Sequence, residues 1–178
     1  MFALDNRYKS NDVLYILKEL DMGYWLLKSE PDTFSIDDLY SLPNRTDHWD
    51  GIRNYQARNF MHDEMKKGDL AFFYHSSCAE PAIVGLVEVV KEAYVDHTAF
   101  DPDEYYFDAK SDPERPRWVM VDIKFKQKFR NVVTLKDMKA NPLLSEMRLV
   151  QKGNRLSIMP ISSGEWIKIL EMNGESVS

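Results

Sequence analysis

Residues 117–129 read RWVMVDIKFKQKF, and their pattern sets the class of structure that this 178-residue chain can form. From Val119 to Phe125 every second residue is apolar, and from Asp122 to Lys126 the residues between them are charged. This period of two is typical of an antiparallel strand that buries one face and exposes the other to water. The chain is therefore predicted to contain an antiparallel sheet.

Further strands are indicated on both sides of this segment. Short runs rich in apolar or β-branched residues are predicted to form them. These runs are YWLLKS (24–29), LAFFYHS (70–76), AIVGLVEVVKEAYV (82–95) and RLSIMP (155–160). Gly85 interrupts the longest run, which predicts a bend or a bulge at that point.

Helices are predicted between the strands, because capping side chains precede apolar residues at helical spacing. The capping positions are Ser35, Asn54, Thr134 and either Ser162 or Ser163. The helix after Asn54 is expected to end at Gly68, and another helix is expected over residues 143–150. Five or six strands with few βαβ alternations predict an α+β domain built on a curved sheet or small barrel.

Two segments are expected to stand apart from this framework. Residues 1–22 contain NDVLYILKEL, which places Val13, Leu14, Leu17 and Leu20 on one stripe of an amphipathic helix. We expect this helix to pack on the domain or on a second copy, which would make a homodimer. The segment 96–117 is a long loop with three prolines and several aromatic residues, and we interpret it as an ordered flap.

The composition limits the classes of function. The hydrophobic fraction of 44% and the charged fraction of 29% are typical of a globular chain, and the length suits one domain. The net charge of −6 provides no global field for a phosphate backbone, so any nucleic acid must bind through a local attraction. No apolar run reaches the length of a membrane span. We therefore expect a soluble protein of the cytoplasm, or of the nucleus in a eukaryote.

Several kinds of catalytic or cofactor site are not indicated. The histidines lie far apart in the sequence and Cys78 is the single cysteine, so we predict no metal. The acidic loop from Asp101 has Tyr106 where a calcium-binding turn needs glycine. The chain has no GxSxG, HExxH, P-loop or GxGxxG motif, so we predict no cofactor. Asp47, His48 and Asp50 are interpreted as polar loop residues.

A collection of aromatic, amide and basic residues remains, close to strand ends and to one helix start. The aromatic members are Trp25, Trp49, Tyr55, Phe73, Tyr74 and Trp118, and the polar members are Lys28, Ser29, Arg53, Asn54, Gln56 and Arg58. Aromatic rings hold flat ligands by stacking, while amides and hydroxyls bind the ligand's edge. A helix N-terminus next to Arg53 also favours an anion such as a phosphate. Together these features predict a pocket for the base of a nucleotide, although each residue taken alone also suits core packing or a solvated surface.

Several of these segments together resemble the EVE domain family. They are YWLLKSEPD, WDGIRNYQARNF (49–60), FFYHS, DPDEYYFDAKSDPERPRW and RLSIMPIS followed by EW, in that order. The resemblance covers residues 23–172 and leaves 1–22 and the tail 173–178 outside. It implies a PUA-like fold with a curved β-barrel, and a protein without enzymatic activity that accepts a modified base, notably modified cytosine in DNA, in an aromatic pocket.

The resemblance also implies site residues, carried over motif by motif. They are Trp25, Lys28 and Ser29 from the first motif, Trp49, Gly51, Arg53, Asn54, Tyr55, Gln56 and Arg58 from the second, and Tyr74, His75 and Ser76 from the third. Met159 departs from the pattern, since a polar residue is expected there. The partner would be a single strand, or a duplex with a flipped base, because a base must be unstacked to enter such a pocket.

Three other functions stay open at the level of sequence. RNA binding is one, since no visible motif encodes the contact to the 2′-hydroxyl that separates RNA from DNA. A hydrolase of nucleotides or RNA, like relatives in the ASCH group, is another, with Lys28, His48 and Asp50 as its acid and base candidates. The third is an interaction module that uses the helix in residues 1–22.

Overall fold

A computed structural model describes residues 22–174, and six strands organise its backbone. The strands are β1 (Tyr24–Ser29), β2 (Thr46–Trp49), β3 (Leu70–His75), β4 (Ala82–Val95), β5 (Val119–Thr134) and β6 (Ile158–Pro160). They form one sheet in the order β2-β5-β4-β3-β1-β6. Strands β1 and β3 are parallel, and the other neighbours are antiparallel. The helix predicted over residues 11–20 lies outside the described residues.

The described residues also form four α-helices, of which three lie between strands and the last follows β6. They are α1 (Ile36–Ser41), α2 (Tyr55–Asn59), α3 (Leu135–Ala140) and α4 (Ser163–Asn173), and α2 continues into a π-helical turn over Phe60–Glu64. The N-caps predicted at Ser35, Asn54, Thr134 and Ser162 are confirmed, because each side chain accepts a hydrogen bond from the third helical residue. Short 3-10 turns occupy Pro43–Arg45, His97–Phe100 and Pro142–Leu144. In residues 22–174, no helix is both long enough and apolar enough to span a membrane.

Some predicted boundaries were wrong. The residues before α2, interpreted as a loop, include strand β2, in which Trp49 pairs with Val121 of β5. The helix after Asn54 ends at Glu64, short of Gly68. The helix predicted over 143–150 is replaced by a 3-10 turn and further turns. In that segment Leu144, Met147 and Leu149 are buried, a spacing that one face of a helix cannot provide.

The mixed α+β class is confirmed, but a closed barrel is not observed. Among the described residues β2 pairs with β5 and β6 pairs with β1, which leaves β2 and β6 as the two edges of the sheet. The bulge predicted at Gly85 is confirmed by a shift of register between Ile83 and Gly85. A Cβ atom on Gly85 would lie 2.3 Å from the carbonyl oxygen of Gln127, so the close approach of β4 and β5 requires glycine there.

Both faces of the sheet are covered by apolar residues, since side chains of β1 alternate between two buried clusters. The first cluster includes Trp25, Leu27, Trp49 and Phe73, with residues of α1 and α2 packed against them. The second includes Leu26, Phe72, Tyr74, Met159 and Trp166 of α4. Met159, where the family resemblance predicts a polar residue, is therefore a core residue of the second cluster. Trp49 of the first cluster also borders a cleft at the ends of β1 and β3.

Candidate functional site

A cleft of about 880 Å³ opens where the parallel strands β1 and β3 both end. Residues from well-separated parts of the chain line it. They are Lys28 and Ser29 at the end of β1 and Glu30 after it, Thr33 and Phe34 before α1, Asp47, His48, Trp49, Asp50 and Ile52 from β2 onward, Ser76 after β3, Tyr105 and Tyr106 of the flap, and Arg155 and Ser157 before β6. The fold thus gathers aromatic, hydroxyl, acidic and basic groups in one place.

Trp49 supplies a fixed aromatic wall. Its ring meets Phe73 edge-on at 5.5 Å and Phe34 edge-on at 6.4 Å between ring centroids. Only 6% of Trp49 is exposed, so its indole cannot turn away when a ligand enters. Edge-to-face contacts of this kind stabilise aromatic clusters beyond the burial of their area. The cleft therefore has one rigid, preformed apolar side.

Hydroxyl groups and one lysine provide the polar side. Ser29 Oγ donates to the carbonyl of Phe34 at 2.7 Å, and the amide of Ser76 donates to the carbonyl of Ser29 at 2.8 Å. The first bond ties the end of β1 to the segment before α1, and the second holds the ends of β1 and β3 together. The ammonium of Lys28 is half-buried, and loss of hydration lowers its pKa. Within residues 22–174 it forms no ion pair, so its three N–H groups are available to a ligand.

Arg53 ties the flap to the residues that follow β2. Its Nη1 donates to Oδ2 of Asp96 at 2.6 Å, and its Nε donates to the carbonyl of Tyr106 at 2.8 Å. Its Nη2 also donates to Tyr106, and to Oγ1 of Thr98 at 3.4 Å. Each nitrogen of the guanidinium thus has an intramolecular acceptor. The phosphate contact predicted for Arg53 is not favoured by this geometry, which gives it a positioning role.

Asp96 is the buried centre of this clamp. Burial alone would raise the pKa of its carboxyl group, but hydrogen bonds from Arg53, Thr98 and the amide of Gly51 bring that pKa below its ordinary value. Gly51 lies at φ +72°, and a Cβ atom there would come within 2.4 Å of the Tyr106 ring. The flap can therefore lie against this turn because the residue at position 51 is glycine.

The outer side of α2 carries a separate aromatic contact. The ring of Tyr55 lies 5.0 Å from that of Trp118, and the guanidinium of Arg58 lies 5.4 Å from the Tyr55 ring. Trp118 is buried, and its Nε1 donates to Oδ2 of Asp108 in the flap at 2.7 Å. Tyr55 is 54% exposed. This contact anchors the flap at a second point, outside the cleft.

The residues predicted for the site are thus only partly brought together. Lys28, Ser29, Trp49 and Ser76 line the cleft. Gly51, Arg53 and Trp118 hold the flap, Asn54 caps α2, and Tyr55, Gln56 and Arg58 lie on the outer part of α2. Trp25 and Tyr74 are buried in opposite clusters, with the indole N–H of Trp25 bonded to Asp69 at 2.8 Å. Burial leaves neither ring an open face for stacking.

Sequence reasoning did not select several groups of the cleft. Phe34, Tyr105, Tyr106, Arg155 and Ser157 line it. The aromatic content of the flap did signal an ordered, functional loop, but nothing in its sequence showed which ring points inward. Asp47, His48 and Asp50 also line the cleft, with Asp47 Oδ1 at 3.0 Å from His48 Nδ1. In the part of the chain that the structure describes, no three His, Cys, Asp or Glu side chains cluster as metal ligands.

His75 lies beside the cleft and acts as a neutral acceptor. Its Nε2 accepts from the amide of Ile36 at 3.2 Å, at the start of α1, and burial lowers its pKa below 6.5. The unfolded chain therefore binds a proton at His75 more readily than the folded chain does. We expect the contribution of His75 to the free energy of unfolding to be constant above pH 6.5 and to fall as pH decreases below that value.

Chemical denaturation from neutral to mildly acidic pH measures this effect. His75→Gln should remove part of the pH dependence, because the amide oxygen can still accept but does not titrate. The control is His62→Gln at an exposed position. If the free energy of unfolding has the same pH dependence in the wild type and in His75→Gln, His75 is not a buried neutral acceptor with a lowered pKa.

Comparison with known proteins defines the family. The EVE domain model matches residues 23–172. Thymocyte nuclear protein 1 of Danio rerio is 44% identical over 168 residues, which cover 85% of this chain and 72% of that protein. A crystal structure from Pseudomonas syringae is 51% identical, with a TM-score of 0.80 over 84% of this chain and 99% of that one.

One of the similar structures, from a human relative, contains a ligand. The crystal structure of human THYN1 protein in complex with DNA containing 5-methylcytosine is 40% identical, with a TM-score of 0.82 over 86% of this chain and 99% of that one. The residues matched by the family model extend from the start of β1 to Met172 in α4. The chain belongs to the EVE domain family.

Proposed function

We propose that the cleft holds a single modified base, with 5-methylcytosine in DNA as the favoured ligand, and that the protein binds it without chemical change. The observation that carries this proposal is the human relative, whose structure contains DNA with 5-methylcytosine. That structure is 40% identical to this chain and covers 86% of it. Nucleic-acid binding is therefore the function that agrees best with both the relatives of this chain and the residues that line the cleft.

The lining of the cleft suits a base. Trp49, Phe34, Tyr105 and Tyr106 offer apolar and aromatic surface, and contacts of bases with such rings contribute about 1 to 3 kcal/mol each. Ser29 and Ser76 donate their hydroxyl protons to the carbonyl oxygens of Phe34 and Ser29, so their oxygens can accept from the base edge, and the hydroxyl group of Ser157 can donate or accept. A base must leave its stack to enter, so single strands and flipped bases bind best. A single methyl group on the base changes its affinity for such a pocket by about 10- to 200-fold.

Lys28 is the residue whose role in binding can be tested with the least disturbance of the fold. Lys28→Met keeps the apolar stem and removes the charge, so we expect weaker binding of methylated single-stranded DNA with an unchanged unfolding free energy. The control is Lys136→Met, on the exposed surface of α3. Binding that falls equally in both variants, or in neither, would contradict a cleft-bound ligand near Lys28.

Tyr105 provides an independent test on the flap side. It is 90% exposed, so Tyr105→Ala should leave the fold intact while removing a ring from the cleft. The control is Tyr40→Ala, an exposed tyrosine on α1 outside the cleft. Binding of the methylated strand should weaken in Tyr105→Ala alone.

A second function, hydrolysis of nucleotides or RNA, is favoured by one observation. Lys28, His48 and Asp50 line the same cleft, and Asp47 lies beside His48. Incubation of the purified protein with nucleotides and short RNA distinguishes the two functions, and we expect no turnover. Product formation that His48→Ala abolishes would establish hydrolysis instead.

Two further expectations concern partners. The same oligonucleotides made as RNA show whether the protein prefers DNA, because RNA differs by its 2′-hydroxyl groups. The homodimer through residues 1–22 stays a prediction. The mass in solution of the full chain and of a chain without those residues tests it.

A further inference from the structure

A basic loop borders the cleft in a chain that is acidic overall. Between Glu146 and Glu165 the sequence contains Arg148, Lys152 and Arg155 and no acidic residue, although the net charge of the chain is −6. We call residues 148–155 the basic loop. It leads through Ser157 into β6.

The uncharged side chains of the basic loop hold its shape. Asn154 Nδ2 donates to the carbonyl of Arg148 at 2.6 Å, and Asn154 Oδ1 accepts from the amide of Leu156 at 2.9 Å. Gln151 Nε2 donates to the carbonyl of Ser145. The positively charged side chains are therefore not needed to keep the loop folded.

Those charged side chains have no acidic partner in the described part of the chain. Lys152 and Arg155 are exposed and form no ion pair or side-chain hydrogen bond with residues 22–174. The guanidinium of Arg148 lies 5.6 Å from the ring centre of Phe60. On β5, by contrast, Lys126 and Lys128 are each paired with a carboxylate. Charge in the basic loop is thus available to an anion.

The flap has the opposite charge. Residues 96–117 contain seven acidic residues and three lysine or arginine residues. The flap is tied to the turn after β2, whereas the basic loop leads into β6, and these strands are the two edges of the sheet. Arg155 of the basic loop and Tyr105 and Tyr106 of the flap all line the cleft. A phosphate backbone that reaches the cleft is therefore attracted from one edge and repelled from the other.

We propose that the basic loop binds the phosphates next to the base held in the cleft, so that the nucleic-acid strand follows Arg148, Lys152 and Arg155 and avoids the flap. This inference rests on the proposed function. Phosphate contacts position a strand without reading its sequence, so the basic loop sets affinity and the cleft sets the preference for the modified base. Each phosphate that a cation neutralises steepens the salt dependence of binding.

Binding of a methylated and an unmethylated DNA single strand at several salt concentrations tests the inference. Arg148→Gln/Lys152→Gln removes two exposed charges outside the cleft and should reduce the slope of log K against log salt by about 1.4, since each phosphate contact to a single strand contributes about 0.7. The ratio of the two affinities should not change. Lys136→Gln/Lys139→Gln removes the same charge from α3 and should keep the wild-type slope.

The outcomes separate this inference from the proposed function. If the wild type prefers the methylated strand and the basic-loop variant keeps the wild-type slope, the basic loop does not bind phosphates and the inference fails alone. Equal loss of slope in the α3 control also overturns it, because the contact is then not local. If the wild type binds neither strand, both proposals fail.

Discussion

Arg53→Met is expected to lower the free energy of unfolding by about 3 to 5 kcal/mol, because it leaves the carboxylate of Asp96 buried without its cation. The side chain of Asp96 is 0% exposed, so its charge has lost its hydration in the folded chain and depends on its hydrogen-bond donors. The carbonyl of Tyr106 also loses its donors, and the flap loses its tie to the turn after β2. Equilibrium denaturation measures the loss, and proteolysis of the flap measures its release.

A second arginine and a double variant serve as controls. Arg58→Met removes an arginine from α2 that has no acidic partner among the described residues, and should cost much less. Arg53→Met/Asp96→Asn removes both charges and should recover part of the stability. A loss below about 1 kcal/mol in Arg53→Met would show that the pair is as weak as a surface salt bridge.

Trp49→Ala is expected to have the second large effect, on both stability and binding. Removing a buried indole leaves a cavity and costs about 3 to 5 kcal/mol. Phe34 and Phe73 lose the ring against which they pack. The variant also removes the rigid wall of the cleft, so the preference for a methylated strand should disappear at a temperature at which the variant is still folded.

Trp166→Ala is the matched control for this result. Trp166 is also buried and stacks on Phe72 at 4.0 Å, but it belongs to the cluster on the other face of the sheet. It should lose comparable stability and keep the preference for the methylated strand. If Trp49→Ala keeps that preference, or if both variants lose it, Trp49 does not form the wall of the binding site.

Much of the framework could be predicted from local sequence. Helix caps are local interactions, so Ser35, Asn54 and Thr134 identified their helices correctly. Strand β2 could not be found in this way, because its four residues, Thr46–Trp49, are too few and too polar to show a period of two. It is a strand because β5 extends far enough to pair with it.

The site was harder to predict, because its groups depend on contacts between distant residues. Arg53 was expected to meet a phosphate, but its partner is Asp96, 43 residues further along the chain. Trp25 and Lys28 belong to one motif, yet they lie three positions apart along β1, which is a distance of about 10 Å. The cleft lies at the end of β1, so Lys28 and Ser29 reach it and Trp25 packs in the core.

The most direct test of the central claim is the ratio of two dissociation constants, measured at one salt concentration with the full chain. The two ligands are single strands of DNA that differ by one methyl group at C5 of one cytosine. We expect tighter binding of the methylated strand, within the limit of about 10- to 200-fold that one methyl group permits. Equal affinity for the two strands would contradict the proposal that the cleft recognises 5-methylcytosine.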